Sequence, residues 1–403
     1  MRMRRRWRAA MALAGVVALV AAACGGSNGG SGSKAPATKV VNKVGATEGA
    51  LSLIAWSGYV EDGSNDPNYD WVTPFEKETG CKITTKYADT SDEMVSLMRQ
   101  GGGTQYDGVS ASGDSSNRLI AGGDVAAIDP KLFPQFKDVL QPLQAPRHNT
   151  VGGLHYGVPY MYGPNFLMYN PKVVKPAPTS WDITFESNSP YAGKLTAYDS
   201  PIFIADAAVY LKAHRPELGI QDPYELTEEQ LDAAVDLLNE QKPMVTKYWS
   251  LYTDEIDGFE SGSMVAGTAW PINFSLIEAD KKPVDAVEPT EGMTGWADTW
   301  MMSKNAPHPN CMLKWMEYTL RPEVQAKVAE WYGAATSNGT ACPELEKVVG
   351  DAVDTLRYGH CGDTQFLASL YLWKTPQADC GNGETNCVDY SVWTQKWQEI
   401  RGA

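Results

Sequence analysis

The sequence predicts an α/β protein, a mostly parallel sheet with helices on both faces and enough chain for two lobes with their own cores. Three observations carry this reading. Short apolar runs of strand type alternate with amphipathic helical segments. Clear helix start signals separate them. About 350 of the 403 residues remain once an N-terminal export segment and the spacer after it are set aside.

Taken in order, Leu51-Ser-Leu-Ile-Ala-Trp56 is an apolar run that ends at Gly58. Cys81 to Tyr87 alternates and is rich in Thr and Ile, so both segments read as strands. Thr90-Ser-Asp-Glu93 is a capping box; Met94, Val95, Leu97 and Met98 follow at helical spacing, with Gly101 as the stop. Tyr106 to Ser110 is the next strand and opens into Ser112-Gly113-Asp114. A second region starts near Tyr162. There Thr227-Glu-Glu-Gln230 caps a helix with Leu231, Ala234, Val235 and Leu238 on one face, and Pro243 ends it. Ser263 to Trp270 and Val284 to Val287 read as strands, Trp296-Ala-Asp298 as a turn, and Pro322 to Gly333 as a helix. The last forty residues are irregular, aromatic and Cys-rich, which predicts a stapled extension packed on the outside.

The N-terminus has the layout of a secretory signal. Met1 to Arg8 carries five arginines and no acid, and Ala9 to Ala22 is uncharged and apolar. That run is shorter than the roughly 20 residues of a membrane-spanning helix. Ala21-Ala-Ala-Cys24-Gly25 resembles the bacterial lipoprotein processing box, so residues 1–23 are expected to be removed and Cys24 to carry the lipid. Residues 24–50 then read as a flexible Gly/Ser-rich tether. The expected location is the outer face of the cytoplasmic membrane.

Formal charge is −15, and losing the five signal arginines leaves about −20. So acidic a surface disfavours nucleic acid and anionic lipid as partners. Six further cysteines, Cys81, Cys311, Cys342, Cys361, Cys380 and Cys387, are an even set in an exported chain and predict disulfides. No CxxC and no Cys/His pair at zinc spacing is present, so neither a metal nor another cofactor is expected. Cys311 with Cys342 is the expected pairing, and the remaining partners stay open.

Catalytic motifs are missing: there is no GxSxG, HExxH, P-loop or strand-linked GxGxxG, which argues against an enzyme. Aromatic residues say more. Trp56-Ser57-Gly58-Tyr59 ends one strand and Trp270 another, and strand ends are where open α/β sheets gather ligands. Trp296 and Asp298 add a ring and a carboxylate, a combination suited to an organic ammonium group. Singly, each tryptophan fits a core better than a ligand site.

An ordered series of motifs decides between these readings. Trp56-Ser-Gly-Tyr59, Phe75-Glu-Lys-Glu-Thr-Gly80 and Tyr106-Asp107 leading to Ser112 come first. Tyr156-Gly-Val-Pro-Tyr160, Tyr162-Gly163, Tyr169-Asn170 and Pro178-Thr-Ser-Trp181 follow. Gly262 to Trp270, Glu288-Pro-Thr-Glu-Gly292, Trp296-Ala-Asp298 and Arg321-Pro-Glu323 through Ser337-Asn338 close it. From Leu51 to Asn338 the chain resembles the extracytoplasmic solute-binding proteins of polyamine ABC transporters, the spermidine/putrescine type. The resemblance implies a type II periplasmic-binding-protein fold, with solute in a cleft between two lobes that close like a hinge. It divides the chain into lobe 1 (51–161 and 296–338), lobe 2 (162–295) and a Cys-rich extension (339–403) packed on the lobes. It further implies a permease as partner.

Carried over by position, Trp56, Ser57 and Tyr59 match the first cleft-lining motif and Ser112 the serine after the third strand. Trp270 and Trp296 match the rings along the ligand, and Asp298 the carboxylate that takes the amine. Departures narrow the ligand. Where spermidine binders place a second acid, this chain reads Ser200-Pro-Ile-Phe203 after Asp199. Asp114 stands where relatives often have an aromatic and is expected to offer a carboxylate from the opposite lobe. Tyr162 replaces the usual tryptophan of the hinge motif. Putrescine, an ω-amino acid or a quaternary amine fits these changes better than spermidine; a sugar receptor of the same fold is the alternative.

Overall fold

The computed structural model describes residues 39–380 and 385–402. The expected signal segment, the lipid site Cys24 and the first part of the tether lie outside the described residues. No helix among the described residues is long and apolar enough to cross a membrane. The expected tether is too long at its far end. Val41 N–H donates to Ala127 O at 2.8 Å and Val41 O accepts from Asp129 N–H at 2.9 Å. Glu48 accepts from the Cys311 N–H at 3.0 Å. From Val41 onward the backbone is therefore docked, because its donors and acceptors find partners on the first lobe.

Strands β1 (Ala50–Ala55), β2 (Lys82–Tyr87) and β3 (Gly108–Ala111) begin the first sheet, with β1 pairing in parallel to both neighbours. β4 (Val158–Pro164) belongs to the same sheet. The chain then crosses to a second sheet built of β5 (Phe166–Tyr169), β6 (Leu195–Tyr198), β7 (Val245–Trp249), β8 (Ala266–Ala269) and β9 (Asp285–Val287). It returns in β10 (Thr294–Met302), and β11 (Ala335–Thr336) and β12 (Tyr371–Leu372) complete the first sheet. Strand orders are β11-β4-β10-β3-β1-β2, with β12 beside β10, and β9-β5-β8-β6-β7. Two helix-flanked α/β sheets thus make two lobes. The chain leaves the first sheet at Pro164 and re-enters it at Thr294.

Within this architecture both sheets are mixed. β10 is antiparallel to β3 and β4, and β5 is antiparallel to β8 and β9. The chain crosses directly from β4 to β5 through Asn165 and comes back in β10, without the helical crossover that parallel neighbours need. The crossing is tied at Asn165, whose N–H donates to Thr294 O at 2.9 Å and whose side chain donates to Thr294 Oγ1 at 2.7 Å. Thr294 Oγ1 donates in turn to the buried carboxylate of Asp206 at 3.0 Å.

Helix signals hold up locally. Thr90 Oγ1 accepts from Glu93 N–H and starts the helix Ser91–Arg99. The Thr227/Gln230 capping box forms in both directions, and Leu231, Ala234, Val235 and Leu238 are buried along Glu228–Gln241. Trp296-Ala-Asp298 is corrected: it is no turn but the interior of β10, all nine residues of which are buried. Burial on both faces removes the alternation that would have marked a strand.

The C-terminal region is more ordered than expected. β12 pairs with the start of β10, and residues 390–402 form the helix Tyr390–Gly402. Trp393, Trp397 and Ile400 are its buried face, a helical spacing. The cysteines pair as Cys81–Cys311, Cys342–Cys361 and Cys380–Cys387, so the expected Cys311–Cys342 bond is not made. Cys311 lies in the first turn of the helix Pro309–Thr319, beside Cys81 at the entry to β2. Nearness in sequence misleads here, since the bond that forms spans 230 residues.

Candidate functional site

Between the two sheets lies a narrow cavity that is open to solvent. Its first-lobe wall is Trp56, Tyr59, Ser112, Trp296, Asp298 and Tyr332. Trp270 comes from the second lobe and Trp373 from the C-terminal extension. Each arrives by a local rule. Trp56 and Tyr59 sit just past β1, where Tyr59 N–H donates to Trp56 O at 3.1 Å and closes a turn. Ser112 is the N-cap of the helix Gly113–Ala121 after β3. Trp270 follows β8 and precedes Pro271, which starts the next helix.

Trp296 and Asp298 are two apart on β10 and so share a face. The register against β4 shifts between Ala297 and Thr299, at Asp298 itself, the kind of irregularity that re-aims a side chain. Gly163 on β4 is the partner of Trp296, and its lack of a side chain is required there. A Cβ on it would lie 2.5 Å from the indole ring of Trp296.

Asp298 is 3 % exposed. Tyr59 hydroxyl donates to its Oδ2 at 2.7 Å, and Ser112 hydroxyl donates to Oδ1. Tyr59 is itself fixed: its carbonyl accepts from Trp71 Nε1 at 3.2 Å and from Tyr160 hydroxyl at 3.3 Å. Burial pushes the Asp298 carboxyl up to about 7; the Ser112 and Tyr59 hydrogen bonds pull it down, and the charge of Asp114 adds to the rise. Burial, and then the charge of Asp298, push the Tyr59 and Tyr332 hydroxyls well above their ordinary value. The site therefore holds one carboxylate that ionises at a cost and gains from a cation.

Rings surround it. Tyr59 and Tyr332 meet at 4.7 Å between centroids, and Tyr332 meets Trp296 edge-on at 6.3 Å. On the opposite side Trp270 packs against Trp249 at 4.7 Å and Trp373 at 6.2 Å. Tyr198 stacks on Trp373 at 5.7 Å and 11°. An aromatic enclosure with a single carboxylate can hold an ammonium group by cation–π attraction of about 0.5–2 kcal/mol per ring.

Of the residues expected at the site, Trp56, Tyr59, Ser112, Trp270, Trp296 and Asp298 meet at the cavity, while Ser57 and Asp114 are not part of its lining. Asp114 belongs to the first lobe, in the first turn of the helix after β3, so it offers nothing from the opposite lobe. Its Oδ1 accepts from Ser91 hydroxyl at 2.9 Å, and it is buried. Sequence reasoning misses Tyr332 and Trp373. Tyr332 precedes the helix stop Gly333 and is legible only as a core position. Trp373 is delivered from sequence with no periodic pattern; a Cβ on Gly113 would lie 1.7 Å from its carbonyl oxygen, so the extension lies directly on that helix start.

Two α/β lobes with an aromatic cavity and one buried carboxylate between them define a solute-binding receptor. The chain belongs to the bacterial extracellular solute-binding protein family, whose model matches residues 70–349. It is 27 % identical over 307 residues to the putrescine/agmatine-binding protein of Pseudomonas aeruginosa, covering 69 % of this chain and 79 % of that one. It is 25 % identical over 347 residues to the spermidine/putrescine-binding periplasmic protein of Escherichia coli, covering 80 % of this chain and 94 % of the relative. In fold it resembles the spermidine/putrescine ABC transporter substrate-binding protein PotD from Streptococcus pneumoniae. The TM-score is 0.68 at 18 % identity, over 87 % of this chain and 99 % of the other.

Proposed function

We propose that this protein captures a small amine in the cleft and delivers it to the permease of an ABC importer. The ammonium group sits on Asp298 and the carbon skeleton lies among Trp56, Trp270, Trp296 and Trp373. Capture and release follow closure and opening of the two lobes, with no bond chemistry. A lipid on Cys24 keeps the receptor near its permease at high effective concentration. One observation carries the reading: Asp298 is buried among rings and is met by hydroxyls and, among the described residues, by no cationic side chain.

The names of the relatives point the same way, toward putrescine, agmatine and spermidine. The second lobe narrows the choice. Ser200 caps a short turn at Ile202, and Asp199 is paired with Arg401, so neither offers a free anion for a second or third amine. Putrescine or an amine with one cationic end therefore suits the cavity better than spermidine.

A thermal-shift screen of the purified protein against polyamines, monoamines, ω-amino acids, betaines and sugars tests this. An amine at 100 times its Kd should add about 2.7 kcal/mol of stability. Calorimetry then ranks the hits. Stabilisation by sugars alone would sink the amine reading.

A further inference from the structure

Outside the cleft, two motifs of the sequence meet on the second lobe and bring a third residue with them. The turn Pro289–Gly292 is clamped to Thr179–Trp181: Thr290 N–H donates to Thr179 O at 2.9 Å, and Trp181 Nε1 donates to Gly292 O at 3.0 Å. This fixes Glu291, whose side chain is 2 % exposed. Beside it stand Asp182, the first residue of the helix Asp182–Phe185, and His214, the last of Ile204–His214. One ligand atom from each of the three lies within 4.8 Å of the others. His214 Nε2 is 3.0 Å from Glu291 Oε1 and 3.7 Å from Asp182 Oδ1.

The His214–Glu291 spacing matches an edge of a metal polyhedron, and the His214–Asp182 spacing exceeds one by a few tenths of an ångström. Bonds of about 2.0–2.2 Å to nitrogen and oxygen give tetrahedral or octahedral edges of about 3.0–3.5 Å. One imidazole with two carboxylates is a donor set for a borderline divalent ion of the zinc class rather than for calcium or magnesium. The supports such a site needs are also in place. Tyr210 stacks on the His214 ring at 4.1 Å, and its hydroxyl donates to Asp182 Oδ1 at 2.9 Å and lies 3.1 Å from Glu186 Oε1. Ser180 hydroxyl and Trp181 N–H donate to the two oxygens of Glu291. Outer partners of this kind orient ligands and raise affinity. Asp182 and His214 are 48 % and 39 % exposed, which leaves an entry path and room for water ligands.

We propose that Asp182, His214 and Glu291 form a binding site for a zinc-class divalent cation on the second lobe. It is separate from the amine cavity and does not depend on what that cavity binds. Bound metal would tie the end of one helix and the start of another to the turn that leads into β10.

The test is equilibrium dialysis of untagged, metal-stripped full-length protein in detergent against Zn²⁺, with Ca²⁺ and Mg²⁺ in parallel. The expected result is one equivalent of Zn²⁺ bound at micromolar concentration or below. His214→Ala and Asp182→Asn should each weaken it at least tenfold, and zinc X-ray absorption should show an imidazole in the shell. Thermal melts of both variants check that they are folded. Undiminished zinc binding in the double variant, no binding up to about 100 μM, or binding of Ca²⁺ with no response to His214→Ala would each overturn the site.

Discussion

Two aspartates, one in the wall of the aromatic cavity and one outside its lining, are treated by the protein in opposite ways. Asp298 lines the cavity from the first lobe; it is buried and held by two hydroxyls, with burial pushing its carboxyl up to about 7. Asp199 follows Tyr198, whose ring packs against Trp270 and Trp373. Its Oδ1 accepts from Trp397 Nε1 at 3.0 Å and from Arg401 Nε at 3.1 Å. Among the described residues one carboxylate has no cation of its own, and the other has been given one by the C-terminal helix. A buried anion without a countercharge is costly, and at Asp298 the proposed ammonium would supply the countercharge. On the proposed reading, the difference leaves the cleft one cationic subsite, set by the first lobe.

Exchanging the two acids for amides is the most direct way to break this comparison. Asp298→Asn should weaken amine binding about 100-fold by calorimetry, in line with losing one partner of a buried charge pair. Asp199→Asn should change affinity by less than about threefold, because its charge is already neutralised and lies outside the cavity lining. Equal losses would mean that both ends take a cation and that the asymmetry is false.

Proton linkage gives the next largest effect. The Asp298 carboxyl rises from 3.8 to about 7 on folding, so between those values the folded chain holds its proton more tightly than the unfolded chain. This group therefore lowers the stability of the unliganded protein as pH rises from about 4 to about 7. An ammonium ligand pairs with the ionised form and must displace that proton below pH 7. Affinity should fall toward a limiting slope of about tenfold per pH unit well below pH 7, or roughly 25-fold between pH 7.5 and 5.5. Burial also pushes Asp206 and Glu61 up to about 7, so both titrate in the same window. Calorimetry in the Asp298→Asn background separates them. The slope should vanish there, and a slope that persists would assign it to another group.

Legibility in the sequence follows the same divide. Trp56, Ser112 and Trp270 are readable because each ends a strand or starts a helix, positions that local signals mark. Asp298 is readable through the motif it belongs to, although its strand reads as a turn. Asp114 misleads because a helix N-terminus is a good home for any carboxylate, ligand or not. The second-lobe side is dark. Whether Asp199 is free depends on Arg401, 202 residues away, and no spacing rule connects them. Trp373 escapes for the same reason, as does the bond between Cys81 and Cys311.

Trp373 sharpens the comparison, since it belongs to the extension yet faces the cavity. Trp373→Ala should cost about tenfold in amine affinity, the effect of removing one large ring from an enclosed cation site. Thr375 hydroxyl donates to Asp114 O at 2.6 Å and keeps the segment docked, so the loss should be local. A melting temperature that falls together with affinity would instead mean that the ring acts through folding. Gly113→Ala is a contrasting case: its Cβ would lie 1.7 Å from the Trp373 carbonyl oxygen, so the segment must shift, and affinity and melting temperature should fall together.

The smallest effect expected is on the Arg401 side, and it tests whether Asp199 is structural. Arg401 pairs with Asp199 and lies 4.1 Å over the Tyr248 ring, yet it is about a third exposed. Screened by solvent, the ion pair and the cation–π interaction together contribute about 1 kcal/mol. In a chain of this length that is about 1–2 °C in Tm. Arg401→Ala should show this loss by calorimetric melting and leave monoamine affinity within about threefold. It also removes the cation that neutralises Asp199, so any gain in binding should be confined to amines with two or more charges. A comparable gain for a monoamine would place Asp199 in direct contact with the first ammonium, and the one-subsite reading of the cleft would have to be abandoned.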